Sequence, residues 1–200
     1  WKTDGTPSGT VLVKDIYAGA ASGNPQYLTN VNGLLYYVAN EDVNGTELWK
    51  TDGTTAGTVL VKDIISGDGS SSPLNLTCVG NQLFFTAQQS TTGTELWKTD
   101  GTSSGTVMVK DIYAGAEPGN PQYLTNVNGK LMFSATDPVA GTELWKTDGT
   151  DAGTTRVKDI YAGELGSAAS EFIKVGSGVY FRARDVANGM ELWKTDGTVP

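Results

Sequence analysis

An all-β fold, a β-propeller of four-stranded antiparallel blades, follows from three observations on this 200-residue chain. The string LWKTDGT ends at Thr54, Thr102, Thr150 and Thr198, and a copy lacking its Leu opens the chain, so Trp1, Trp49, Trp97, Trp145 and Trp193 keep a 48-residue spacing. Each interval offers four short β-rich runs bounded by turn residues and no helical spacing of useful length. Repeats of roughly 40 to 50 residues with four strands each are the signature of propeller blades.

The strands can be read from the second unit. Thr58–Ile64 is β-branched and follows Gly57; Leu74–Val79 follows Pro73; Leu83–Gln88 follows Gly80-Asn81; Glu95–Thr99 follows Gly93. Alternation is clearest at Leu83, Phe85 and Ala87, whose equivalents are Leu35, Tyr37, Ala39, then Leu131, Phe133, Ala135, then Val179, Phe181, Ala183. The opposite face varies from Val38 to Thr86, Ser134 and Arg182, which predicts an exposed or edge surface. In the strand carrying Glu47, Leu48 and Trp49, period two sends Leu and Trp to opposite faces, as a sheet between two neighbouring sheets requires. Burying an indole removes about 150 to 250 Å² from water, worth roughly 4 to 6 kcal/mol gross. Trp49, Trp97, Trp145 and Trp193 are therefore expected as structural anchors. Asp52 and Gly53, with their equivalents, read as a turn between the third and fourth strands, because Asp bonds nearby backbone N–H groups and Gly accepts positive φ.

Phasing these strands gives blades over residues 25–64, 73–112 and 121–160, and three strands over 169–198. The expected organisation is one domain, 1–200, of repeats 1–48, 49–96, 97–144 and 145–192, with 193–200 starting a further repeat. Four blades would close into a ring if Thr10–Ile16 supplied the missing outer strand; an eight-bladed ring of two chains is the alternative. Because Trp1–Thr6 duplicates Trp193–Thr198, the ends compete for one place, and the sequence reads as a segment of a longer array.

The string Glu-Leu-Trp-Lys-Thr-Asp-Gly-Thr, followed by Gly-Thr, Val-Lys-Asp-Ile and a Gly-rich loop, resembles the ELWxxDGT repeat proteins. That resemblance spans all four units, with Met190 and Thr155-Arg156 as departures, and implies a bacterial protein that is secreted or attached to the cell surface. It implies no particular chemistry.

Composition narrows the function. The chain carries 14 basic and 22 acidic residues, net −8, with no basic cluster, which argues against nucleic acid. No run of some 18 apolar residues or signal-like segment is present, so membrane insertion is not expected. Histidine is absent, which removes the commonest general base and zinc ligand and leaves carboxylate chemistry. Glu47, Glu95, Glu143 and Glu191 could mimic half of a glycosidase dyad, but their presence in every copy favours a structural role. No catalytic residue is assigned and the expected function is a non-enzymatic scaffold, adhesion or assembly module, with protein or glycan partners or self-association by blade or strand exchange. No cofactor is expected. Calcium is the one metal left open, at Asp52, Asp100 and Asp148. The alternative is a lectin-like propeller whose loops use Tyr17, Asn24, Gln26, Tyr113, Asn120 and Gln122 to stack a sugar and fix its hydroxyls. A carboxylate-based hydrolase is the third reading.

Overall fold

The computed structural model describes residues 1–198 and contains fifteen strands among them. Strands β1 (Gln26–Val31), β2 (Leu34–Glu41), β3 (Gly45–Thr51) and β4 (Val59–Lys62) form the first antiparallel sheet, in chain order. The second has β5 (Leu74–Val79), β6 (Gln82–Gln89), β7 (Gly93–Thr99) and β8 (Val107–Lys110). The third has β9 (Gln122–Val127), β10 (Lys130–Asp137), β11 (Gly141–Thr147) and β12 (Thr155–Lys158). The last contains three strands, β13 (Ser170–Val175), β14 (Gly178–Asp185) and β15 (Gly189–Thr195). The expected phase therefore holds in each sheet. The outer strands are shorter than expected, Val59–Lys62 against Thr58–Ile64, and a bulge shifts their register beside Leu48, Leu96 and Leu144.

Neighbouring sheets meet through one apolar arrangement. Leu48 of the first packs with Leu83, Phe85, Ala87 and Trp97 of the second. Leu96 meets Leu131, Phe133, Ala135 and Trp145, and Leu144 meets Val179, Phe181, Ala183 and Trp193. Leu and Trp thus face opposite neighbours, as alternation requires.

The second face of the middle strands departs from expectation. Tyr36, Phe84 and Met132 are buried and join the core of the following sheet, and Val38, Thr86 and Ser134 are buried as well. A sheet stacked between two others has no solvent face, so residue variability there marked changing neighbours. Only in the last sheet is this face open: Arg182 is exposed and Tyr180 half-buried.

The Thr-Asp-Gly-Thr segment is a turn held by its own side chains. Asp52 Oδ1 accepts bonds from the Thr54 N–H at 2.8 Å and the Thr54 hydroxyl at 2.7 Å. Thr51 and Thr58 hydroxyls meet at 2.6 Å behind it, and Gly53 has φ +88°. The second glycine has a steric cause, since a Cβ on Gly57 would collide with the Asp52 carboxylate.

Lysines stitch the sheets. Lys2, Lys50 and Lys146 each donate from Nζ to a turn carbonyl in the following repeat, Gly53, Gly101 and Gly197, at 2.8 Å. Lys14 and Lys62 reach the carbonyls of Thr58 and Thr106. The neighbouring Asp15, Asp63 and Asp111 instead accept the N–H of Gly19, Gly67 and Gly115 within their own loops.

Thr10–Ile16 does not close a ring. Val11 pairs with Lys2, and Ile16 packs on Tyr37, Ala39 and Trp49 of the first sheet. The N-terminal segment stands to the first sheet as the Trp–turn–outer-strand corner of any sheet stands to the next, while β15 keeps an unpaired edge among the described residues. The overlap of the two ends explains this: one copy of the corner cannot lie at both places.

Burial differs sharply between copies. Leu48, Leu96 and Leu144 are at most 1% exposed, whereas Leu192 is 75% exposed. Leu96→Ala is expected to cost about 2 to 5 kcal/mol in urea unfolding, and Leu192→Ala less than about 0.5 kcal/mol.

Candidate functional site

The carboxylates come first, because without histidine they carry any acid–base chemistry. Glu47, Glu95 and Glu143 are fully buried. Each stands at the start of a third strand and reaches the loop that carries the chain into the following sheet. Glu95 accepts the N–H groups of Ile112 at 3.2 Å, Tyr113 at 3.5 Å and Gly119 at 2.7 Å. Glu143 accepts those of Ile160, Tyr161 and Ser167, with the Ser167 hydroxyl at 2.7 Å. Glu47 takes the N–H and hydroxyl of Ser71 and the N–H of Ile64. Desolvation raises Glu47 and Glu95 to about 7, against the pull of these donors, and raises Glu143 in the same direction. Perturbed carboxylates of this sort are catalytic candidates in general, but these are fully buried and their oxygens are engaged by loop N–H groups and, in Glu47 and Glu143, by a loop serine hydroxyl. They are loop clamps. Glu191 is exposed and clamps no described loop.

Asp52, Asp100 and Asp148 serve their turns. Each holds the N–H and hydroxyl of the Thr two residues on, which lowers its pKa. No group of three or more metal-ligating side chains occurs among the described residues.

The polar residues expected to bind ligand divide into two sets. Asn24 and Gln26 line one cleft with Tyr27, Val38, Asn40, Thr46, Ser72, Pro73 and Leu74, between the first and second sheets. Its volume is about 280 Å³, near the small end of the roughly 300 to 1,000 Å³ typical of ligand pockets. Asn120 and Gln122 are exposed beside Tyr123 at the corresponding entry to the third sheet. Tyr17 and Tyr113 are elsewhere: both are half-buried in the loops that cross between sheets, and the Tyr113 N–H is held by Glu95.

Two aromatics on the inner strands are exposed, Tyr27 at 49% and Tyr123 at 44%. A broad groove across the inner strands β1, β5 and β9 is lined by both, with Leu28, Leu74, Asn75 and Leu124 among its walls. Tyr27 thus borders the cleft and the groove together. Tyr123 is further braced edge-on by Phe172, with ring centroids 6.1 Å apart. Both tyrosines have left-handed backbones, φ +55° and +56°, at a bulge where the inner strand loses register with its partner. Asn75 and Glu171 take the same conformation at the equivalent positions. The bulge is thus architectural, but a bulky side chain there is costly where Asn is cheap. The NPQY string was visible in the sequence; the bulge that turns its Tyr outward was not.

No family model and no curated protein matches the sequence. Solved structures do. A puromycin hydrolase S511A mutant complexed with PGG is similar over 95% of this chain and 39% of its own, with 14% identity and a TM-score of 0.50. An α-L-arabinofuranosidase from Clostridium thermocellum is matched over 86% of this chain and 68% of its own, at 12% identity and TM-score 0.41. A putative exo-β-1,3-galactanase from Bifidobacterium bifidum is matched over 91% of this chain and 65% of its own, at 14% identity and TM-score 0.39. The chain spans about two fifths of the first of these. At such identities the likeness is one of fold.

The expectation of a non-enzymatic module is corrected to this extent: the fold that the chain shares with a puromycin hydrolase is one that occurs in an enzyme. The argument from repetition also fails physically. Equivalent positions on the inner strands carry Tyr27, Asn75, Tyr123 and Glu171, so four near-identical repeats present a chemically asymmetric surface.

The clamps make stability pH-dependent. A carboxyl whose folded pKa is raised binds its proton more tightly in the folded state, so its contribution is full below about 4.5 and is lost as pH rises to about 7. The melting temperature of the wild-type protein is expected to fall across that window, and Glu95→Gln to flatten the slope, as thermal unfolding followed from pH 4.5 to 7.5 would show.

Proposed function

We propose that the four sheets are propeller blades and that the inner-strand groove with its adjoining cleft is the glycan-recognition surface of a carbohydrate-active protein. The observation that carries this reading is the placing of Tyr27 and Tyr123 as exposed rings on one groove, each beside amide side chains. A pyranose offers an apolar face that stacks on an aromatic ring and a rim of hydroxyls that pair with amides, and Asn24, Gln26 and Asn40 supply both donors and acceptors in the cleft. Net charge −8 disfavours polyanions, so the substrate class is a neutral oligosaccharide. The proposed setting, supported by the ELWxxDGT resemblance, is a secreted or surface-attached bacterial protein.

A glycan array of neutral and anionic oligosaccharides, followed by calorimetry on the hits, tests it. Binding to neutral glycans is expected, weakened tenfold or more in Tyr27→Ala and in Tyr123→Ala and unchanged in Tyr17→Phe. Absence of any neutral hit, or binding that survives both alanine variants, overturns the reading.

A further inference from the structure

The cleft between the first and second sheets has two chemically distinct sides. The first sheet and its entry loop contribute three amides, Asn24, Gln26 and Asn40, while the second sheet contributes Pro73 and Leu74, which with Val38 form the apolar part of the lining. Gln26 is paired with Val38 across β1 and β2, so amide and apolar surface adjoin at one place. Among the described residues the side chains of Asn24 and Gln26 have no hydrogen-bond partner in the protein. Asn40 is engaged through Oδ1 alone, which accepts the Thr46 hydroxyl at 3.4 Å and leaves Nδ2 free to donate. Val38 and Pro73 are buried and fixed, whereas Leu74 is 42% exposed.

The other two junctions are lined differently. Between the second and third sheets Ser72 and Leu74 stand where the first has Asn24 and Gln26, and Asn75 Nδ2 crosses the junction to the Thr86 hydroxyl at 3.3 Å and the Pro121 carbonyl at 3.4 Å. Between the third and fourth sheets Asn120 and Gln122 restore the amides, but Ser134 replaces Val38 and Ser170 replaces Leu74. Of the three junctions the first alone sets unpaired amides against an apolar wall.

That combination matches one substituent of neutral sugars. An acetamido group carries an N–H donor, a carbonyl acceptor and a terminal methyl; amide side chains answer the first two and an apolar wall takes the third. A hydroxyl in its place leaves the wall uncovered, and a deoxy position covers the wall but leaves the amides unpaired. A volume of about 280 Å³, below most ligand pockets, suits one sugar residue. Resting on the reading of this cleft as part of a glycan-recognition surface, we propose that it selects a sugar residue bearing an acetamido group, with the methyl seated on Val38, Pro73 and Leu74 and the amide paired with the side chains of the first sheet. Leu74 is the specificity-determining residue, because it is the apolar contact that the equivalent position of the last sheet lacks.

Ligand-observed NMR titrations with the methyl glycosides of a hexose, its acetamido analogue and its deoxy analogue, in the glucose and the galactose series, test this. The acetamido sugar of one series is expected to bind about tenfold more tightly than the parent hexose, with strong saturation transfer to its acetyl methyl. Leu74→Ser, the residue found at the equivalent position of the last sheet, should bring that preference within about twofold while leaving hexose binding in place, and Leu74→Met should keep it; circular dichroism would verify both folds. Equal binding of hexose and acetamido sugar in both series, a deoxy sugar bound most tightly, or a preference that survives Leu74→Ser overturns the proposal and leaves the glycan reading standing. Absence of binding by all six sugars overturns the proposal, and the array result then decides the glycan reading by itself.

Discussion

The buried glutamate is the constraint on which the other contacts depend. A four-stranded sheet of this size cannot bury its own faces, so every sheet must be positioned against the next to within the tolerance of a packed core. Strand pairing fixes geometry only inside a sheet. The link between sheets is a loop of Gly, Ser and Ala with little apolar surface of its own, and its backbone N–H groups would be unpaired where it crosses the sheet top. Glu95 gathers the N–H groups of Ile112, Tyr113 and Gly119 on one carboxylate, which fixes both ends of that loop at once. The cost is a desolvated charge, visible as a carboxyl pushed up to about 7. With the loop fixed, Leu96 meets Phe133 and Trp145, and the inner strand enters at a fixed angle.

That entry angle also shapes the surface proposed for binding. The loop ends at Asn24, Ser72, Asn120 and Ala168, all with positive φ, and three residues later the inner strand bulges into the left-handed conformation again. The result turns Tyr27 and Tyr123 out over the groove while Asn24 and Gln26 line the adjoining cleft. Architecture is supplied by residues that repeat, and surface chemistry by those that do not. Mutual consistency of turn, clamp and core across repeats is what permits variation at the exposed positions without loss of the fold.

Sheet order and strand phase were legible because they rest on local signals. Gly-Thr before each outer strand, Asn32-Gly33 and Asn128-Gly129 in the first hairpins, and the Leu35–Tyr37–Ala39 alternation need no knowledge of neighbours. The role of Leu48 and Trp49 on opposite faces was legible for the same reason. What failed were inferences about environment. The variable face of β2 looked exposed because Val38, Thr86, Ser134 and Arg182 differ in polarity, yet three of them are buried beneath the next sheet. Tyr17 was read as a recognition aromatic because it sits in a Gly-rich loop, and it is half-buried there. Ring closure by Thr10–Ile16 required knowing which of two equal sites the duplicated corner would take, and identical sequences carry no such information.

The direct test of the clamp is amide hydrogen exchange at single-residue resolution in the wild-type protein and in Glu95→Ala. The account predicts slow exchange at Ile112, Tyr113 and Gly119 in the wild type, at least tenfold faster exchange at those three amides in the variant, and retained protection at Ser71 and Ser167, whose carboxylates are intact. Unchanged protection at Gly119 and Ile112 in Glu95→Ala would contradict it.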